Sequence, residues 1–175
     1  MNVTPVIPKI IELGGGNNPV YHPNVDVRSG PSVDIVFDFD TLDGTKHLPI
    51  EDGSYDVVYS RFAIEHVSWR NTKNFIAEIF RILKRDGAAL VIAPNTFEQC
   101  KMIIERGYWI DNDSCMIFGD QNYGENSHRA GWSPEYLAGI FKGAGFDRVR
   151  VEPLLYCNTD MVLTAEKGTA VIRWQ

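Results

Sequence analysis

The stretch Ile10-Ile11-Glu12-Leu13-Gly14-Gly15-Gly16-Asn17-Asn18 constrains the fold more than any other part of the chain. An apolar run of strand length opens directly into three consecutive glycines. Glycine has no Cβ, takes positive φ cheaply and leaves its N–H groups open to a ligand. Glu12 stands just before the turn, and a carboxylate at the end of an apolar strand needs partners. Two readings follow, a plain strand-to-loop turn and a loop that holds a ligand. The rest of the chain decides between them.

Residues 1–8 show no periodicity and read as a lead-in to a first strand over roughly 9–13. Asn17-Asn18-Pro19 and His22-Pro23-Asn24 punctuate a loop. Asn24-Val25-Asp26-Val27 reads as a second strand and Val33 to Asp38 as a third. Tyr55-Asp56-Val57-Val58-Tyr59-Ser60 is rich in β-branched and aromatic residues, which predicts a fourth. Phe62 to Val67 reads as a short helix. Phe75, Ile76, Ile79, Phe80, Ile82 and Leu83 recur at helical spacing, which predicts an amphipathic helix over roughly 72–85. Lys84 and Arg85 in its last turn and Gly87 after it form a helix stop. Ala88 to Ala93 is apolar on both faces, as a central parallel strand requires. Residues 96–106 are a further candidate helix. Residues 107–132 show no regular element, and their aromatic content favours an ordered functional loop. Ser133-Pro134-Glu135 opens a helix to about Lys142. Phe146–Val151 and Met161–Glu166 are the last strands. Alternating strands and helices in one domain, 1–175, predict an α/β fold with a mostly parallel sheet.

Composition narrows the partners. A net charge of −6 argues against a broad nucleic-acid or anionic-membrane footprint. The three cysteines, Cys100, Cys115 and Cys157, follow no metal or redox spacing, as expected of a reduced cytoplasmic protein. No apolar run approaches the ~20 residues of a membrane span, and no secretory signal is visible.

In an open parallel sheet, ligands sit beyond the carboxyl ends of the strands. Three expected strand ends carry matching chemistry. The glycines end strand one, Asp26 ends strand two and Asp38 ends strand three. One acid can accept from a ribose diol, another from an adenine amine, and the glycine N–H groups can take a carboxylate or phosphate. Together these describe an adenosine-containing ligand. A dinucleotide fits poorly. Its fingerprint wants a third glycine where Pro19 stands, and an acid ~20 residues on, behind a helix. Asp26 follows Gly16 by only ten residues.

The ordered series of motifs resembles class I S-adenosylmethionine-dependent methyltransferases. Ile11-Glu12-Leu13-Gly14-Gly15-Gly16 is similar to their first motif. Asn24-Val25-Asp26-Val27 is similar to the ribose-binding strand end. Leu48-Pro49-Ile50-Glu51-Asp52-Gly53-Ser54-Tyr55-Asp56-Val57-Val58 resembles their strand-four stretch, and Glu65-His66 stands where many small-molecule members have that pair. Arg81-Ile82-Leu83-Lys84-Arg85-Asp86-Gly87 resembles the turn before strand five, and Met161 to Lys167 the terminal strand. The likeness spans most of residues 9–167. It implies a Rossmann-like sheet with an antiparallel C-terminal strand, and S-adenosyl-L-methionine as cofactor. Glu12, Gly14, Gly15, Gly16 and Asn17 would face its methionine part. Asp26 and Val27 would hold the ribose. Asp38, with Asp40 as second candidate, would meet the adenine beside Phe39. Ser60 and Arg61 would border the sulfonium.

One departure stands out. The family places helices between strands one and two and between strands two and three. Here those connections are about eight and about five residues, whereas parallel crossovers take a dozen or more. The N-terminal half is therefore expected to be pared down, with one sheet face short of cover. The N-terminal segment, the C-terminal tail (Val171, Ile172, Trp174) or a second copy in a homodimer would cover it.

The resemblance implies an enzyme, a methyltransferase acting on a small-molecule acceptor, with a sugar or metabolite hydroxyl among the candidates. The alternative is a non-catalytic domain that keeps the fold, binding the cofactor or serving in an assembly. His66 and His128 are the candidate bases, and each has a structural reading as well. Tyr123 and Arg129 are candidate substrate contacts; Arg129 could pair with a carboxylate or phosphate. The acids Asp34, Asp38, Asp40 and Asp43 read as a solvated face, and no metal is expected.

Overall fold

The apolar run before the glycines lies at the centre of a seven-stranded sheet in the computed structural model, which describes residues 7–155 and 157–168. The strands are β1 (Ile10–Leu13), β2 (Asn24–Asp26), β3 (Ile35–Val36), β4 (Tyr55–Arg61), β5 (Leu83–Pro94), β6 (Arg148–Leu154) and β7 (Cys157–Glu166). Across the sheet they run β3-β2-β1-β4-β5-β7-β6. The first five pair in parallel, and β7 lies antiparallel between β5 and β6. Strand order reverses between β1 and β4, so the crevice above these two is where a ligand is expected.

The helices are α1 (Thr72–Ile82), α2 (Thr96–Arg106), α3 (Asp111–Phe118) and α4 (Pro134–Gly143). α1 stops at Ile82, short of 85, because the chain turns extended at once and Leu83 pairs with Tyr55. Asn95 caps α2 by accepting from the Glu98 N–H, and Gly107 ends it at φ 79°. Ser133 caps α4 with Pro134 behind it, as the sequence predicts. The 62–67 helix reduces to a single 3-10 turn, Ile64–His66.

The expectation of no regular element in 107–132 is corrected: α3 and a 3-10 turn at Gly124–Asn126 lie there. Asp111, Asn112, Asp113 and Ser114 are poor helix formers, so nothing local announces α3. Its hold is tertiary. The buried Asp113 carboxylate accepts from the Ile110 N–H at 2.8 Å and from the Arg106 guanidinium at the end of α2.

α1 and α4 touch each other and pack on one face of the sheet. Their Phe75, Ile76, Ile79, Ile82, Leu137 and Phe141 meet Ile11, Leu13, Val58, Ala89, Val91 and Leu163 in one core. The strand residues alternate, as a sheet buried on that face demands. Fully burying each such Leu, Ile or Phe contributes about 1.5–3 kcal/mol.

The other face carries Glu12, Val57, Tyr59, Ala88, Leu90 and Ile92. No helix joins β1 to β2 or β2 to β3, so the pared-down first half is real. Part of the cover comes from the β1–β2 loop itself, a source the sequence does not suggest. The Val20 and Tyr21 N–H groups donate to Glu12 Oε2 at 2.5 and 2.7 Å, and the Tyr21 ring meets Tyr59 edge-on at 5.3 Å. Leu90, Ile92 and Val162 remain half-buried. Residues 171–174 of the tail, and 1–6 of the lead-in, lie outside the described residues.

The motif before β4 is held from α1. Glu78, buried on α1, accepts from the Leu48 N–H at 2.6 Å and from His47 Nδ1 at 2.9 Å. Arg81 forks onto the same carboxylate and reaches the Ile50 carbonyl and Asp52. One buried ion pair thus pins a loop that has no secondary structure of its own.

Candidate functional site

A cavity of about 590 Å³ opens at the carboxyl ends of β1 and β2. That is room for a ligand of nucleoside size. Gly14, Gly15, Gly16 and Asn17 form one wall, Asp26 and Val27 the next, and Asp38 and Phe39 the third. His66, Tyr123 and Arg129 close it from the far side. Twelve of the sequence-derived candidates, Asp40 included, therefore share one space, although they come from six separate segments of the chain.

The glycine turn works differently from its first reading. All three N–H groups are already used: Gly14 donates to the Val25 carbonyl, Gly15 to Asn24 Oδ1 and Gly16 to Asp26 Oδ2, at 2.7, 3.0 and 2.9 Å. What the turn offers a ligand is therefore space. Gly14 sits at φ +82°, and a Cβ there would lie 2.2 Å from the Ala63 Cβ. Gly16 sits at φ +57° with nothing within 4 Å of where a Cβ would be. The first lets the turn after β4 press onto the glycines, and the second keeps the cavity open.

Asp26 takes one N–H on each oxygen, from Gly16 at 2.9 Å and from Arg28 at 3.0 Å. A carboxylate has about four acceptor positions, so both oxygens keep capacity for a diol. Asp38 caps the 3-10 turn Phe39–Thr41 through Oδ1, which accepts from the Asp40 N–H. Phe39 is buried, with its ring 4.7 Å from that of Phe75. It anchors this wall of the cavity to α1.

Four candidates lie elsewhere. Glu12 is fully buried behind the glycine turn, holding the β1–β2 loop. Ser60 is buried and donates to the Leu13 carbonyl at 2.9 Å. Arg61 is exposed at the end of β4. His128 stands behind His66, its ring 5.0 Å away and edge-on. Phe62 and Ala63 line the cavity where Ser60 and Arg61 were expected. Phe62 has φ 50°, a costly backbone for a bulky residue, and marks where β4 breaks.

Two clasps hold the 123–129 segment across the mouth. Arg129 pairs with Asp40, and the Arg28 guanidinium lies 4.0 Å from the centre of the Tyr123 ring. Asp40 also accepts from the Ser68 N–H, so this corner ties three segments together. Arg28 is a cavity residue that sequence reasoning missed; only the fold brings it under Tyr123. Asp34 Oδ2 takes His22 and the Asn24 N–H, and Asp43 Oδ1 takes Thr45 and the Lys46 N–H, so one oxygen of each is held by local partners.

Two groups on the far side are electrically unusual. Burial pushes the Glu65 carboxyl up to about 8, and the charge of Asp160 adds to that. Burial also lowers the His66 imidazole, against the opposing pull of the Ser127 carbonyl and Asp26. A half-buried imidazole that is neutral near pH 7 can take a proton or hold a ligand.

Strand order, crevice and acid-tipped strands define a Rossmann-like methyltransferase fold. Residues 25–91 match the family described as a methyltransferase domain. The chain resembles a S-adenosylmethionine-dependent methyltransferase of Thermotoga maritima at 18% identity, over 93% of this chain and 83% of that one, with a TM-score of 0.60. An Archaeoglobus fulgidus methyltransferase gives 13%, 90%, 85% and 0.62 in the same order. One from Mesorhizobium loti gives 16%, 91%, 90% and 0.61. Comparison with curated protein sequences gives no match. The likeness to the class I S-adenosylmethionine-dependent methyltransferase family therefore extends through the fold, with a sequence match over residues 25–91. Among the described residues no helix is long and apolar enough to cross a membrane.

Proposed function

We propose that this chain transfers a methyl group from S-adenosylmethionine to a small-molecule acceptor. The observation that carries the reading is Asp26 at the tip of β2, bonded to Gly16 and facing a 590 Å³ cavity between the glycine turn and Asp38. The residues present suit the cofactor: an open Gly16, a carboxylate with spare acceptor positions, and a second acid at the end where an adenine amine would lie. Asp26 would hold the ribose hydroxyls, Asp38 Oδ2 the amine, and Gly14 to Asn17 the methionine part. Bound there, S-adenosylmethionine supplies a methyl group on a positively charged sulfur. The chain's own work is to align the acceptor and keep water out. Tyr123 and the Arg129–Asp40 pair shield the mouth, and His66 on the far wall can take the acceptor's proton.

A small acceptor suits a mouth already crossed by residues 123–129. The free cysteines support a reducing, cytoplasmic setting. Calorimetry with S-adenosylmethionine and S-adenosylhomocysteine tests the cofactor assignment, and absence of heat with both sinks it. Release of S-adenosylhomocysteine over a panel of hydroxyl and amine acceptors then tests turnover. Binding without turnover would favour a non-catalytic cofactor domain, a reading to which the missing first-half helices lend support.

A homodimer belongs to the same proposal. Leu90, Ile92 and Val162 on the second sheet face are apolar and half-buried. Sedimentation equilibrium should show self-association that weakens in Ile92→Lys. A monomer at every concentration removes the dimer.

A further inference from the structure

We propose that Glu65, His66 and His128 bind one divalent transition-metal ion at the acceptor side of the cavity. The three side chains offer one carboxylate oxygen and two imidazole nitrogens, all within 4.8 Å of one another. Two ligand atoms ~2.1 Å from one ion lie at most ~4.2 Å apart. Three ligand atoms on one tetrahedral ion lie ~3.4 Å from one another, so a pair at the full 4.8 Å has to close by roughly 1.4 Å through side-chain rotation.

Three further observations point to a cation. Glu65 is 2% exposed, and its Oε2 has no hydrogen-bond partner among the described residues. A buried carboxylate without a partner is costly, and a cation supplies the missing charge. Next, both rings are oriented from behind. His66 Nδ1 lies 3.2 Å from the Ser127 carbonyl and His128 Nδ1 lies 3.1 Å from the Met116 carbonyl. A carbonyl only accepts, so each Nδ1 carries the proton and each Nε2 keeps its lone pair. That is the arrangement by which proteins set a metal-binding imidazole.

The third observation is the backbone that delivers His128. The Arg129 and Ala130 N–H groups donate to the Glu65 carbonyl at 2.7 and 3.1 Å, and the His128 N–H to the Phe118 carbonyl at 2.9 Å. A Cβ on Gly119 would lie 2.2 Å from the Asn126 carbonyl oxygen, so this approach depends on that glycine. A segment 62 residues away in sequence is thus strapped beside Glu65-His66.

Two nitrogens and one oxygen suit zinc, cobalt, iron or manganese rather than magnesium or calcium, which prefer all-oxygen shells. Of the three, His66 alone borders the cavity, so an acceptor would reach the ion past the His66 ring. There the ion would hold an acceptor oxygen and lower the pKa of its hydroxyl. That last role rests on the methyl-transfer reading; the metal site itself does not. With the ion bound, His66 acts as ligand and the hydroxyl proton leaves to solvent.

The test is titration of chelator-treated protein with cobalt(II), read by visible absorption and by metal content after dialysis. One equivalent should bind, with d–d bands displaced by zinc. Glu65→Gln and His128→Ala should each weaken binding by more than ~100-fold, beyond what loss of an outer-shell partner costs. His22→Ala, at an exposed histidine paired with Asp34, should change nothing. Glutamine keeps the shape of a carboxyl that burial already favours as neutral, so Glu65→Gln should keep the wild-type circular dichroism. No binding by the wild type, or wild-type affinity in either variant, overturns the site. S-adenosylhomocysteine calorimetry on the same metal-free protein separates the two ideas, because cofactor heat without cobalt binding removes the ion alone.

Discussion

Glu78→Ala should cost about 3–5 kcal/mol of folding stability, the range for breaking a buried ion pair from one side. Glu78 is buried, and its carboxylate is the meeting point of Arg81, His47 and the Leu48 N–H. Removing it takes from the Arg81 guanidinium, whose side chain is only 18% exposed, its buried counter-charge and leaves it the Ile50 and Leu48 carbonyls and the exposed Asp52. It also frees the 47–52 loop that leads into β4. Urea unfolding should show a lower midpoint at unchanged slope. A loss under ~1 kcal/mol would mean the network is replaceable by water.

The same carboxylate sets an acid limit. Burial opposes ionisation of Glu78, but hydrogen bonds from Arg81, His47 and Leu48 outweigh it and leave its pKa below the ordinary 4.5. The folded state therefore binds its proton less readily than the unfolded chain. The resulting stability is fully present above pH ~4.5 and is lost as pH falls through the lowered value. Wild-type midpoints should drop more steeply below pH ~4.5 than those of Glu78→Gln. Parallel curves would remove Glu78 from the account of acid sensitivity.

Asp26→Ala should weaken S-adenosylhomocysteine binding by ~100-fold or more, since two hydrogen bonds to a charged group are worth about 1.5–3 kcal/mol each. Part of that loss is indirect, because the Gly16 N–H also loses its acceptor. Asp56→Ala makes the control. Asp56 sits at the start of β4, engaged with Lys84 and the Lys9 N–H, away from the cavity. Its loss should leave affinity unchanged while lowering stability slightly. Equal affinity in wild type and Asp26→Ala, measured by calorimetry, would end the ribose assignment.

The two variants probe parts of the chain that were legible to different degrees. Asp26 could be read from the sequence, because an acid at a strand tip depends only on the strand's period and its stop. Glu78 could be placed on α1 by helical spacing, but its role could not. Its partners lie about 30 positions earlier, in a loop without pattern. α3 was missed for the same reason, as its hold is the Arg106–Asp113 pair rather than any propensity of its own.

The glycine turn marks the boundary most clearly. Its sequence alone determined that backbone comes close to something at the end of β1, because only glycine sits at φ +82° with Ala63 where a Cβ would go. It could not say what becomes of the N–H groups. Tertiary structure decided that Val25, Asn24 and Asp26 take all three, leaving the ligand a space rather than a row of donors. Strand periods, glycines and acids are local, so the sequence carried the fold class and one half of the cavity. The other half, from Arg28 under Tyr123 to His128 beside Glu65, is built by segments that meet only when the sheet forms. Distances between them are set by packing, and no spacing along the chain records it.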